Sequence, residues 1–105
     1  MASGKINVRP IPVDLIKDYR DGNTESITIA GTSIVSKTVT FSPAFADDNY
    51  IIILAMNCSN NTYSAFGQIQ FSFHSKTKNG FSIKIYNSST GERSGFNVHW
   101  TALKL

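Results

Sequence analysis

The alternation of apolar and polar side chains from Gly80 to Leu105 constrains this chain more than any other stretch. Phe81, Ile83 and Ile85 alternate with Ser82, Lys84 and Tyr86, and Phe96, Val98, Trp100 and Ala102 alternate with Asn97, His99, Thr101 and Leu103. A period of two is that of half-buried strands, whose successive side chains point to opposite faces of a sheet. Between the two runs lies NSSTGERSG, small, turn-forming and charged residues that gain little from burial and belong at an exposed loop tip. The stretch reads as one complete β-hairpin with a core face, and Trp100 is the largest apolar side chain on that face.

The same period recurs upstream. Glu25 to Ile29 and Ile34 to Phe41 read as strands, the second with Val35, Val39 and Phe41 on one face. Gly67 to Ser75 places Ile69, Phe71 and Phe73 inward and Gln68, Gln70, Ser72 and His74 outward. Turn signals separate the runs at Asp21-Gly22-Asn23, Ala30 to Ser33, Ser42 to Phe45, Asp47 to Asn49 and Lys76 to Asn79. Six strands with short connections and no central helix predict an all-β fold, a six-stranded antiparallel β-sandwich.

Tyr50 to Met56 departs from the pattern because it is apolar on both faces. Ile51, Ile53 and Ala55 point one way, and Tyr50, Ile52, Leu54 and Met56 the other. A two-layer monomer exposes one of these sets, so a second covering surface is needed. It is either the N-terminal arm or a copy of the same chain across an oligomer axis.

That arm, residues 1–23, differs from the sandwich expected over residues 24–105. Pro10 and Pro12 fix two backbone angles and remove two donors, which favours an extended segment over a sheet interior. Asp14 to Arg20 could form two turns of helix capped by Asp14, or remain extended. Val8, Ile11, Val13, Leu15 and Ile16 make the arm too apolar for a free tail, so it is expected to lie on its own domain or to attach to a larger assembly.

At 105 residues the chain makes one domain that buries roughly 65% of its unfolded surface. The single Cys58 forms no intrachain disulfide and reads as a buried or half-buried thiol near a strand end. A net charge of +3 is spread over scattered Lys and Arg with no basic stripe, which argues against a nucleic-acid partner. YIIILAM is too short for a membrane span, and MASGKINVRP has no apolar signal region. Only 16% of the residues are charged, while Ser, Thr and Asn are abundant, a balance that suits an extracellular or virion-exposed β protein.

Catalytic chemistry has little to stand on. His74 and His99 fall on the polar face of neighbouring candidate strands with no carboxylate or second ligand at a fixed spacing, and read as half-exposed sheet histidines. Asp47-Asp48-Asn49 lacks the further spaced oxygen ligands of a calcium loop and reads as a turn. GxSxG, Walker and HExxH patterns are absent, so no enzyme, cofactor or metal is expected. The sequons Asn57-Cys58-Ser59, Asn60-Asn61-Thr62 and Asn87-Ser88-Ser89 matter only in a secretory pathway. What remains is a polar face carrying amides, hydroxyls and Tyr86. It reads as a solvated sheet, a subunit contact or a surface for sugar, which offers hydroxyls and an apolar ring face.

From Lys37 to Leu105 the chain resembles the H-type lectin domain of the snail-agglutinin type and related phage tail-fibre tips. The resemblance rests on KTVTFSPAF, FSFHSKTKNGFSIKIYN and NVHWTALKL, with SGKI near the N-terminus. It implies a six-stranded sandwich, a homotrimer about a three-fold axis, and glycan binding near protomer boundaries. The family's N-acetylgalactosamine ligands do not carry over. The acidic position falls near Ala30 to Ser33, the arginine position near Gln68, and the loop positions near Ser88, Ser89 and Ser94.

The expected function is that of a carbohydrate-binding, receptor-recognition module, a trimeric tip of a phage tail fibre or similar particle, located on a virion surface or outside the cell. The resemblance implies that Asn87, Glu92 and Arg93, in the family's binding loop, and Gln68, at its arginine position, are the sugar contacts, and their side chains can grip hydroxyls directionally. The alternative is a structural trimer, a spacer or decoration subunit of a virion with no ligand.

Overall fold

A computed structural model describes residues 15–58 and 67–105. The prolines and most of the apolar positions of the arm, and the Asn60-Asn61-Thr62 sequon, lie outside the described residues.

Among the described residues the fold is an antiparallel two-sheet sandwich built from seven strands: β1 (Asp18–Asn23), β2 (Ile27–Ile29), β3 (Ile34–Thr40), β4 (Ile51–Cys58), β5 (Ile69–Thr77), β6 (Gly80–Asn87) and β7 (Arg93–Lys104). One sheet is centred on β7, with β4 on one side and β1 and β2 in succession along the other. The second sheet has the order β3-β6-β5. Because β1 and β2 share one edge of β7, seven segments occupy six strand positions.

The largest correction concerns the expected hairpin from Gly80 to Leu105. β6 and β7 do not pair. Each is the central strand of its own sheet, and the 88–92 loop carries the chain from one sheet to the other. Their inward residues face each other as the core, with Phe81, Ile83 and Ile85 from β6 against Phe96, Val98 and Ala102 from β7. The described hairpin is β5–β6, closed where Thr77 pairs with Gly80.

Trp100 is half-buried, and its ring lies 5.8 Å from that of Phe41 and 5.7 Å from that of Phe81. Gly22 opposite it corrects the expected Asp21-Gly22-Asn23 turn, which is the end of β1 paired to β7. A Cβ on Gly22 would sit 2.8 Å from Trp100 Cζ2, so the glycine leaves room for an indole and not for a reversal of chain direction. β1 also places residues 18–23 of the expected arm on their own domain, and none of them is helical. From β1, Arg20 donates through Nε to Pro43 O at 2.9 Å and through Nη1 to Asp18 Oδ1 at 2.5 Å. Its guanidinium stacks 4.5 Å from the Phe45 ring centroid, tying the 43–45 turn to the sheet. That hydrogen bond holds the Asp18 carboxyl below the usual carboxylate range, and Lys104 does the same for Asp47.

The same end is closed by Tyr50, whose hydroxyl donates to Thr77 O at 2.7 Å and whose ring packs edge-on against Phe41 and lies 4.7 Å from that of Phe45. Burial raises the phenol's pKa above the usual tyrosine range, which keeps it a donor. β4 splits as its double pattern requires. Ile52, Leu54 and Met56 pack against the core, while Ile51 and Ile53 are each 50% exposed.

Candidate functional site

The 88–92 loop hangs on Asn87, the last residue of β6 and one of the few polar side chains in the interior, at 0% exposure. Its Nδ2 shares two hydrogens among three carbonyls, Ile29 O and Ala30 O at 3.2 Å and Gly91 O at 2.9 Å. Its Oδ1 accepts from Ser89 N at 3.0 Å and Ser89 Oγ at 2.5 Å. This one amide therefore joins the loop to the end of β2 in the opposite sheet. The 30–33 connection docks alongside through Thr32 N to Ser89 O at 2.8 Å. Gly31 is required there, since a Cβ would fall 2.4 Å from Thr90 O.

Asn87 is thus removed from the set of expected sugar contacts. Its hydrogen-bonding capacity is spent inside the protein, and a ligand has no path to it. For the same reason the Asn87-Ser88-Ser89 sequon is closed in the folded chain.

The other three expected residues come together at the surface. Arg93 Nη2 donates to Gln68 Oε1 at 3.1 Å, and Arg93 Nη1 donates to Glu92 O at 3.1 Å. Ser88 bonds Gln68 O at 3.0 Å through both its backbone N and its hydroxyl. The Gln68 amide nitrogen, the Glu92 carboxylate and the Thr90 hydroxyl are left around this knot on exposed residues. Donors and acceptors at a loop fixed from below suit hydroxyl-rich ligands, because little backbone freedom is lost on contact. Spacing along the chain does not show that Gln68 and Arg93 meet, since 25 positions and a change of sheet separate them.

The expected polar face is not one surface. Gln70, Ser72, His74, Ser82, Lys84 and Tyr86 lie on the outside of the β3-β6-β5 sheet, whereas Asn97, His99 and Thr101 lie on the outside of the β7 sheet. The two histidines consequently occupy opposite sides of the sandwich. His99 Nδ1 lies 3.1 Å from Asn23 Oδ1 and His74 Nδ1 lies 2.9 Å from Ser75 Oγ. Among the described residues no cluster of His, Cys, Asp and Glu could hold a metal ion. Cys58 is half-buried at the end of β4.

No protein-family model matches the chain, and no curated protein matches it. Solved structures of tail-fibre fragments share its fold. An N-truncated R1-type pyocin tail fibre superposes with a TM-score of 0.65 at 11% identity, over 83% of this chain and 70% of that one. A C-terminal fragment of the P. aeruginosa R1 pyocin fibre gives 0.62 at 11% identity, over 83% of this chain and 23% of that one. The sandwich is thus of the kind found in tail fibres. At that identity the likeness is one of backbone.

Proposed function

We propose that this chain is a receptor-recognition module of a phage tail fibre or similar particle, exposed on the virion, that binds host-surface glycans through the 88–93 loop and Gln68. The observation that carries the reading is the Gln68–Arg93 contact at 3.1 Å, which gathers the exposed polar groups into one loop surface on a tail-fibre fold. Fold alone does not assign a ligand, so the proposal rests on that constellation. A single site of this kind binds weakly, and useful avidity arises when several copies engage one surface. Titrating host-envelope glycans against the protein and against a Gln68→Ala/Glu92→Ala/Arg93→Ala variant tests it. Loss of binding by the variant is expected. Equal binding by both would move the site elsewhere, and no binding by either would favour the structural reading below.

The module acts as a homotrimer in this proposal. Tyr19, Leu103 and Ile51 stand in register across β1, β7 and β4 on the outside of one sheet, and Ile53 follows in the next row. Tyr19, Ile51 and Ile53 are 60%, 50% and 50% exposed, an apolar row that association would cover. Sedimentation at micromolar concentration should give a trimer, and Ile51→Lys/Ile53→Lys should give a folded monomer, because both side chains face away from the core. A monomeric unmodified protein would end the trimer proposal. The same row supports the second reading, a spacer or decoration subunit that trimerises and binds no glycan.

A further inference from the structure

We propose that the outside of the β3-β6-β5 sheet is a second binding site, separate from the loop, for a saccharide that carries a carboxylate. A groove of ≈ 460 Å³ runs there, lined by Ile34, Gln70, Phe71, Ser72, Lys84 and Tyr86. That volume lies within the range of about 300–1,000 Å³ in which small-ligand sites fall.

Strand register sorts the outward residues into two rows, while Phe71 pairs with Ile85 and turns its side chain toward the core. Tyr86 pairs with Ile34 on one side and Gln70 on the other, and Lys84 pairs with Ser36 and Ser72. Ile34 is 58% exposed although apolar, and beside the Tyr86 ring it forms a platform that fits the C–H face of a pyranose. Gln70 both donates and accepts, and Ser36 and Ser72 add hydroxyls. Lys84 sets the charge of the ligand. Its ammonium has no ion-pair partner among the described residues, and the outward positions of β3, β5 and β6 include no Asp or Glu. A ligand carboxylate would meet that cation with no protein carboxylate competing, and a charge-assisted hydrogen bond there is stronger than any a neutral sugar makes. One lysine amid hydroxyls and an aromatic is too little basic charge for a polynucleotide, whose affinity comes from many phosphate contacts.

The test is an NMR titration of the full chain with oligogalacturonate, with sialyllactose as a second carboxylated probe and the methyl ester of the oligogalacturonate as the neutral control. Amide shifts at residues 70–72 and 84–86 are expected with at least one carboxylated probe, weakening as salt is raised. Lys84→Gln should lower affinity about tenfold and Tyr86→Ser by a similar factor. Both positions face solvent, so the variants should fold, as denaturant unfolding would verify. The Gln68→Ala/Glu92→Ala/Arg93→Ala variant should bind these probes as the parent does, which separates this site from the loop. Equal binding of the methyl ester, shifts confined to residues 88–93, or no effect of Lys84→Gln would overturn the proposal. So would a change in sedimentation with Lys84→Gln or Tyr86→Ser, which would assign the face to a second copy of the chain.

Discussion

Gly80→Ala is expected to remove a large share of the chain's folding stability. Gly80 begins β6 at φ +151°, opposite Thr40 of β3 and Thr77 of β5. A Cβ there would stand 1.9 Å from Val39 O, a backbone atom inside the β3–β6 ladder that cannot turn aside as a side chain can. Relief requires β3 and β6 to part at the end where Tyr50 hydrogen-bonds to Gly80 O and Phe41 N to Asn79 O. Strain of this kind belongs to the rare substitutions that cost about 4–5 kcal/mol or more. Domains of this size hold roughly 5–15 kcal/mol in all. Gly91→Ala is the matched control, because its Cβ would meet only the end of the Arg93 side chain, at 3.2 Å. Urea unfolding followed by tryptophan fluorescence should show a shift within about 0.5 kcal/mol for Gly91→Ala, the ordinary range for surface positions. A Gly80→Ala protein with near-parental stability would mean that the sheet edge yields far more readily than its hydrogen bonds imply.

Asn87→Ala is expected to lower stability by about 3–5 kcal/mol, since each buried group stripped of its partner costs about 1–3 kcal/mol. Ile29 O and Ala30 O lose a donor together and Ser89 N loses its acceptor, while Gly91 O keeps the Ser89 hydroxyl at 2.8 Å. Asn87→Asp separates the halves of that role. The carboxylate retains an acceptor for Ser89 but turns anionic oxygens on three carbonyls, so it should be no better tolerated than alanine. An Asn87→Ala chain that unfolded within ~1 kcal/mol of the parent yet lost glycan binding would return Asn87 to the ligand site. The expected outcome is the reverse, with stability lost and any binding by Gln68, Glu92 and Arg93 weakened only as the loop loosens.

Alternation in the sequence determined which side chains point inward. Phe81, Ile83, Ile85, Phe96, Val98 and Ala102 are at most 2% exposed, as a period of two requires, and the all-β class followed from the same signal. The double pattern of Tyr50 to Met56 likewise foretold an apolar surplus, since either choice of inward set leaves isoleucines outside. A period of two is blind to partners, however. It places a side chain on a face without saying which strand lies beside it, so β6 and β7 looked like a hairpin when each is the centre of a different sheet. Local turn chemistry was equally ambiguous. Asp21-Gly22-Asn23 has the composition of a turn, and only the Trp100 ring against Gly22 accounts for the glycine in a strand. Asn87 looked available because it stands at the loop by which the resembled lectins bind sugar and carries a hydrogen-bonding side chain. Its burial arises where the crossing from β6 to β7 brings Ile29, Ala30 and Gly91 around one amide, a long-range coincidence that no local window contains. The tertiary structure decided these matters because partner choice is set by packing two sheets face to face, and that packing draws on residues from every strand at once.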